Sequence, residues 1–304
     1  MSSITTHYGI DGPIAFEDVD VDADNRLYVD PHAIRLSRGP QPFQQQAVDC
    51  MDSFFHEVTR CVLEGTPAAQ ARGEKLLQEF FEPWETRLGM AKTGFQGHGG
   101  ASIVGTRIWA ALRDDVDALI EVGILRRIEQ LPLFIEGVDR DITSDVTTRI
   151  IFEALGRFTE SMIEQHPEFT SGKHVVKTFV KQVWNPGTQE WDTARITLPV
   201  VNGKALLLVP RGWARPTLLM SATRYYETSV LTYAQLQQAV LSSDGKLLTS
   251  RKDDLKKQRD LSRGRATNLR LTQRAVQQDE NLLEHFESFV ARQLRRQSTT
   301  RNAA

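Results

Sequence analysis

The chain has 304 residues, 40% of them hydrophobic and 25% charged, which is ordinary for a soluble globular protein and long enough for one large domain or two smaller ones. No apolar run reaches the roughly 18 to 20 residues of a membrane span, and the start MSSITTHYGIDG has neither the basic lead nor the apolar stretch of a secretory signal. A cytoplasmic protein without membrane contact is therefore expected.

The net charge of −2 hides an asymmetry. Residues 1–245 carry 23 Lys and Arg against 32 Asp and Glu, whereas residues 246–304 carry 14 against 7. Such a split predicts an acidic body and a basic segment suited to a polyanion, or two parts that attract each other.

In chain order the first distinctive stretch is FEDVDVDADNRLYVDP, residues 16–31, with Asp18, Asp20, Asp22, Asp24 and Asp30. Asp20, Asp22 and Asp24 match ligand positions one, three and five of a calcium loop. The sixth position is Asn25 instead of Gly and the twelfth is Pro31 instead of Glu, so the match fails where it is most demanding. Val19 and Val21 alternating with the aspartates predict a strand with one wet face. A cation role stays open, chiefly for Asp30.

Ala47, Met51, Phe54, Phe55, Val58 and Val62 recur at helical spacing and predict a helix over 42–64. Cys50 and Cys61, eleven positions apart on it, would lie about 16 Å apart along its axis, too far for a disulfide. Two unpaired thiols fit a reducing compartment. Gly65, Thr66 and Pro67 end this helix, and a second is expected over 68–81.

The stretch EPWETRLGMAKTGFQGHGG, 82–100, is the longest expected loop, with five glycines between Gly89 and Gly100. Thr106 and Arg107 follow Gly105 where a phosphate loop needs Lys and Ser or Thr, so neither that motif nor a dinucleotide fingerprint is met. Lys92, His98 and Arg107, near a helix start at Ser102, remain candidates for holding an anion. The alternative is a plain connector.

Helices are expected over 102–112 and 116–128, and another through Val146, Ile150, Ala154, Phe158 and Met162, capped by Thr143 or Ser144. Around its start lie Glu136, Asp139, Asp141, Ser144 and Asp145. Carboxylates at this spacing can converge on a divalent ion or share acid and base roles. The candidate catalytic set is Asp139, Asp141 and Asp145 with Glu82 or Glu85 from the loop; the candidate ligands for Mg2+ or Mn2+ are Asp30, Asp141 and Asp145. Helix capping, or an ion pair with Arg140, accounts for the same residues structurally.

HVVKTFVKQVW, the turn at 185–187 and EWDTARITLPV predict paired strands, and Asn202-Gly203 predicts a second hairpin into KALLLVP. Trp184, Trp191 and Trp213, near Lys181, Arg195, Arg211 and Arg215, are either base-stacking platforms or packing residues. No Glu-x-Lys, zinc-ligand set or Gly-x-Ser-x-Gly elbow occurs, and Asp244-Gly245-Lys246 reads as a turn.

Residues 246–274 hold ten Lys and Arg against three Asp. Lys252, Lys256, Lys257, Arg259, Arg263, Arg265 and Arg270 are the candidate phosphate contacts. Leu282, Leu283, Phe286, Phe289, Val290 and Leu294 then predict an amphipathic helix over 279–294 that docks on the body or on a protein partner. The expected fold is α+β, with a mainly helical first half, a small antiparallel sheet in the second half and a basic helical C-terminal segment. Its expected division is an acidic body of 1–245, helical over 40–166 and β-rich over 173–213, and a basic segment of 246–304.

LYVDPHAI, ETRLG, GVDRDITSDVTT and LLLVPRGW resemble the successive motifs of an uncharacterised bacterial protein family, over most of residues 16–215. The resemblance implies a setting among mobile elements and phage defence, and carries over no catalytic residue. The resulting expectation is a nucleic-acid-associated cytoplasmic bacterial protein acting in defence against phage or foreign DNA. The alternatives are a divalent-metal nuclease or phosphoryl-transfer enzyme, and a non-catalytic adaptor or regulatory subunit.

Overall fold

The computed structural model describes residues 2–79, 83–89, 99–114 and 124–302, with backbone alone for 99–104 and 297–302. The helices are α1 Ile4–Tyr8, α2 Pro31–Leu36, α3 Phe43–Glu64, α4 Pro67–Gln78, α5 Gly99–Asp114, α6 Leu131–Phe134, α7 Arg140–Ile150, α8 Phe152–Gln165, α9 Ala222–Tyr225, α10 Leu231–Gln237, α11 Lys252–Leu255, α12 Arg265–Val276 and α13 Leu282–Asn302. The strands are β1 Tyr28–Val29, β2 Val175–Asn185, β3 Glu190–Val201, β4 Lys204–Ala205, β5 Ala214–Arg215, β6 Val240–Leu241 and β7 Leu247–Leu248. The fold is α+β, with helices dominating the first half and every described sheet antiparallel.

The chain folds into two compact units. The first comprises 1–113, 127–129 and 138–218; the second comprises 114–126, 130–137 and 219–304. The charge boundary at residue 246 falls inside the second unit. Counted by unit, the split narrows to 21 basic against 25 acidic residues in the first and 16 against 14 in the second.

In the first unit the β2–β3 hairpin pairs Trp184 with Trp191 at its turn end and Val175 with Val200 at the other. Its buried Ile196 lies against α8, where a Cβ on Gly156 would come 2.7 Å from Ile196 Cγ2. Phe54 of α3 meets Trp184 edge-on, with ring centroids 4.9 Å apart. Trp184 Nε1 donates to Ser53 Oγ, Trp191 Nε1 to the Leu76 carbonyl and Trp213 Nε1 to the Gly39 carbonyl. These indoles are packing residues with satisfied N–H groups, and the base-stacking alternative falls for the fully buried Trp184 and Trp213.

The acidic ladder is extended but is not the expected regular strand. Val19 and Val21 enter a core with Tyr8, Phe16, Phe158 and Phe169, while Asp18 and Asp22 face outward. The burial alternation is as expected; the backbone pairs only in isolated bridges, Phe16 with Pro210, Asp20 with Ser3 and Asn25 with Leu88, and side chains hold the stretches between them. Asp18 accepts from Thr5 N and Thr5 Oγ1, Asp22 N donates to Asp20 Oδ1, and Asn202 Nδ2 donates to Asp22 Oδ1. Asx-type bonding of this kind competes with sheet pairing, and only Tyr28 and Val29 pair regularly, with β5.

Several boundaries differ from expectation. The cap of α7 is Asp139, whose Oδ1 accepts from Asp141 N and Ile142 N. Thr143 and Ser144 are instead buried inside the helix. The periodic run they were expected to open divides at Ile151 into α7 and α8. Residues 124–127 are not helical, and the rest of the helix expected over 116–128 lies mostly outside the described residues. Within KALLLVP, past the second hairpin turn, only Lys204 and Ala205 are strand.

Gly105 is a packing residue. A Cβ there would lie 1.9 Å from the Leu77 carbonyl oxygen of α4, and one on Gly73 would lie 2.3 Å from the Trp109 ring of α5. Each helix gives up a side chain so that the two backbones approach. Elsewhere in the unit, Glu129 is buried between His32 Nδ1, 3.6 Å away, and Arg35 Nε, 2.6 Å away, and Arg35 also reaches Asp52.

In the second unit residues 222–237 form one helical run with a π-helical turn at Tyr226–Val230. The turn lies in a row of buried tyrosines. Tyr225 OH pairs with Thr272 Oγ1, Tyr226 OH donates to the Leu261 carbonyl, and Tyr233 OH donates to Gln278 Oε1. Asn268 of α12 donates to the Leu133 carbonyl of α6, and Phe286 of α13 packs on Tyr225 with ring centroids 5.1 Å apart. Leu282, Leu283, Phe286 and Val290 are thus buried within their own unit.

Candidate functional site

Residues 83–89 pass over α7, and here several of the sequence-derived candidates gather. The Pro83-Trp84-Glu85-Thr86 turn is a 3-10 turn that places Glu85 inward and leaves the Trp84 ring 44% exposed. Lys181 of β2 donates from Nζ to Glu85 Oε1 across 2.7 Å. Arg149 Nη2 stands 3.8 Å from Glu85 Oε2. Burial pulls the Arg149 guanidinium below its ordinary range, and Glu85 and Asp145 oppose that shift. Lys181 Nζ also lies 5.3 Å from the Trp84 ring centroid, a cation over an aromatic face.

Asp141 borders the same turn: a Cβ on Gly89 would meet its Oδ1 at 3.2 Å. Gly89 has φ 124°, which favours glycine. The Ser144 hydroxyl accepts from Val29 N across 2.9 Å and joins β1 to α7. The next residue but one from β1, Pro31, opens α2, whose N-cap is Asp30.

Four of the acidic residues accept hydrogen bonds from the chain itself. Asp30 accepts from His32 N and Ala33 N, Asp139 from the first amides of α7, and Glu85 from Lys181. Glu136 accepts from Arg265 within the second unit. Among the described residues no three or more His, Cys, Asp or Glu side chains form a group that could hold a metal ion. Glu82 and Lys92 lie outside the described residues. Arg149, which joins Lys181 at the Glu85 carboxylate, was missed in the sequence, and Lys181 was named there only as a neighbour of the tryptophans. Only their long-range neighbours reveal them, because Lys181 reads as the outward residue of a strand and Arg149 as the end of a helix.

The basic candidates separate into two groups. Lys252 Nζ donates to the Glu227 carbonyl and to Thr232 Oγ1, Lys256 pairs with Asp253, Lys257 with Asp254 and Arg265 with Glu136. Arg259, Arg263 and Arg270, joined by Arg274, are exposed, and among the described residues none has a carboxylate within ion-pair distance. Arg263 donates to the Thr223 hydroxyl and Arg270 to the Asp260 carbonyl, which orient them without neutralising them. Arg270 and Arg274 stand one helical turn apart on α12, opposite its buried Thr267, Asn268, Leu271 and Ala275. Arg107 is exposed on α5 of the first unit.

A family profile described as a domain of unknown function (DUF8370) matches residues 13–221. The chain belongs to this family. The DUF8370 match spans the four resembling motifs and ends three residues past the last residue of the first unit. Arg259, Arg263, Arg270 and Arg274 all lie beyond it. No curated protein and no solved structure matches the chain.

Proposed function

We propose that this DUF8370 protein is a nucleic-acid-associated protein that holds backbone phosphates on the arginine face of its second unit. The observation that carries the reading is Arg259, Arg263, Arg270 and Arg274, four exposed arginines within sixteen residues that have no carboxylate within ion-pair distance among the described residues, with Arg270 reaching back to the Asp260 carbonyl beside Arg259. An unneutralised guanidinium row costs self-repulsion, and a phosphate backbone relieves it while offering bidentate acceptors. The resemblance to a family of mobile-element and phage-defence settings supports foreign DNA as the target. Two buried, unpaired cysteines support a cytoplasmic setting, and among the described residues no helix is long and apolar enough to cross a membrane.

The test is retention of a duplex at stepped salt concentrations by the full chain and by the fourfold Arg→Gln variant at 259, 263, 270 and 274. Each lost phosphate contact removes about 0.9 from the slope of log affinity against log salt, so the variant should flatten that slope by roughly 3 to 4. A full chain that retains neither DNA nor RNA at low salt, or a variant with an unchanged slope, ends the proposal. Point substitutions are needed because α12 and α13 supply the second unit's core, and deleting residues 246–304 would unfold it.

A further inference from the structure

The second unit carries an apolar arm. β6 and β7 form a two-stranded ribbon in which Val240 faces Leu248 and Leu241 faces Leu247. Opposed residues share a face and successive ones alternate, so both faces of the ribbon are aliphatic. The four side chains are 64%, 70%, 53% and 58% exposed for Val240, Leu241, Leu247 and Leu248. An isolated two-stranded ribbon is marginal in water, and exposed aliphatic side chains on both of its faces are apolar surface for a partner to cover.

The ribbon's foot is fixed. Gln238 and Gln258 exchange side-chain amide hydrogen bonds of 2.9 and 3.1 Å, and Gln235 Nε2 donates to the Ser250 carbonyl. The first of these pairs sets the foot beside Arg259, where the uncompensated arginine row begins. At the tip Ser242 N donates to the Lys246 carbonyl, and Asp244 and Lys246 pair at 3.0 Å, which leaves the tip neutral.

The surroundings select the occupant. A second copy docked arm to arm would bring two arginine rows together, which like charges oppose. The major groove is read through donors and acceptors that these side chains lack. The minor groove suits them: proteins that enter it commonly press aliphatic wedges between base steps while cations hold the flanking phosphates.

We infer that residues 240–248 are a β-arm that enters the minor groove of duplex DNA and unstacks a base step with Leu241 and Leu247, while Arg259 and Arg263 hold phosphates at its foot. The inference rests on the proposed nucleic-acid reading and adds to it the groove and a deformation of the duplex.

The test uses the full chain and a duplex carrying 2-aminopurine and an end-to-end fluorescence-transfer pair. Wild type should brighten the 2-aminopurine and shorten the end-to-end distance. The Leu241→Ser/Leu247→Ser variant, changed only at exposed positions, should lose both signals while keeping the salt slope of binding. A bound duplex that stays straight and stacked, or a variant that deforms it like wild type, overturns the arm and leaves the arginine reading standing. No DNA retention by wild type overturns both. A mass by light scattering that halves in the variant would assign the ribbon to a second copy. Sedimentation of wild type, but not of the variant, with phosphatidylglycerol vesicles would assign it to lipid. Either result also overturns the arm.

Discussion

Lys181 Nζ lies 2.7 Å from Glu85 Oε1, with Arg149 Nη2 3.8 Å from the other carboxylate oxygen. All three side chains are largely buried, so the carboxylate is the counter-ion that lets two cations stay inside. Removing one partner of such a group costs about 3 to 5 kcal/mol, because a buried charge is left uncompensated. Glu85→Gln should destabilise the first unit by that order in urea unfolding. All five tryptophans belong to this unit, so their emission reports on it selectively. A loss below about 1 kcal/mol, the value of an exposed pair, would mean that the cluster is solvated.

Acid should act on the first unit through Glu129. Burial alone would raise its pKa, but His32 and Arg35 beside it hold it at about 2 against the ordinary 4.5. A depressed carboxylate contributes stability that is fully present above the unfolded value and lost as pH falls through the folded one. Stability should therefore decline between about pH 5 and about pH 2, by roughly 3 kcal/mol from this group. Glu57, held at about 2 by Arg60 and Arg72, adds a decline of the same sign. Glu129→Gln should flatten the profile in that window; a variant as acid-sensitive as wild type would remove Glu129 from the account.

Gly105→Ala should be costly although alanine is the better helix former. Its Cβ would meet the Leu77 carbonyl oxygen at 1.9 Å, a backbone atom that cannot turn aside. Separating α4 from α5 should cost about 1 to 3 kcal/mol, as overpacking does. A neutral or stabilising Gly105→Ala, measured by thermal unfolding, would show that the helices have room to part.

At the start of α7 two substitutions should differ in kind. Asp139→Ala removes a cap and should cost about 1 kcal/mol, with Asp139→Asn largely restoring it. Ser144→Ala strips the acceptor from the buried Val29 amide and should cost about 1 to 3 kcal/mol, with faster exchange of the Val29 amide hydrogen. Equal exchange in wild type and Ser144→Ala would show that another group holds that amide.

What the sequence made legible was local. The periodicity of Ala47, Met51, Phe54 and Val58 placed α3 within one residue at its start, and the turn residues at 185–187 and 202–203 placed both hairpins. Val19 and Val21 were read correctly as inward residues. The breakup of the strand into isolated bridges was not legible, because its partners Ser3, Leu88 and Pro210 come from three separate segments of the chain. Glu85 was named as a candidate, but its cations Lys181 and Arg149 come from β2 and the far end of α7. Gly105 entered only as part of a failed phosphate-loop match within the helix expected over 102–112, because the Leu77 carbonyl it admits lies across a helix crossing. In the basic segment, composition named the lysines and arginines together; only the structure separated Lys257 and Arg265, paired with Asp254 and Glu136, from the open Arg259 and Arg270.

The interleaving of the two units has a consequence for how the protein is made. The last residue of the first unit is 218, but Leu131, Leu133 and Phe134 belong to the second and meet Tyr225 and Asn268 there. On the ribosome these apolar residues emerge more than a hundred positions before Asn268 and Phe286. At ordinary elongation rates of about 5 to 20 residues per second, that is a wait on the order of ten seconds. During it the first unit can close around its tryptophans while 130–137 stands as an unsatisfied apolar segment, the natural landing place for a chaperone on the nascent chain.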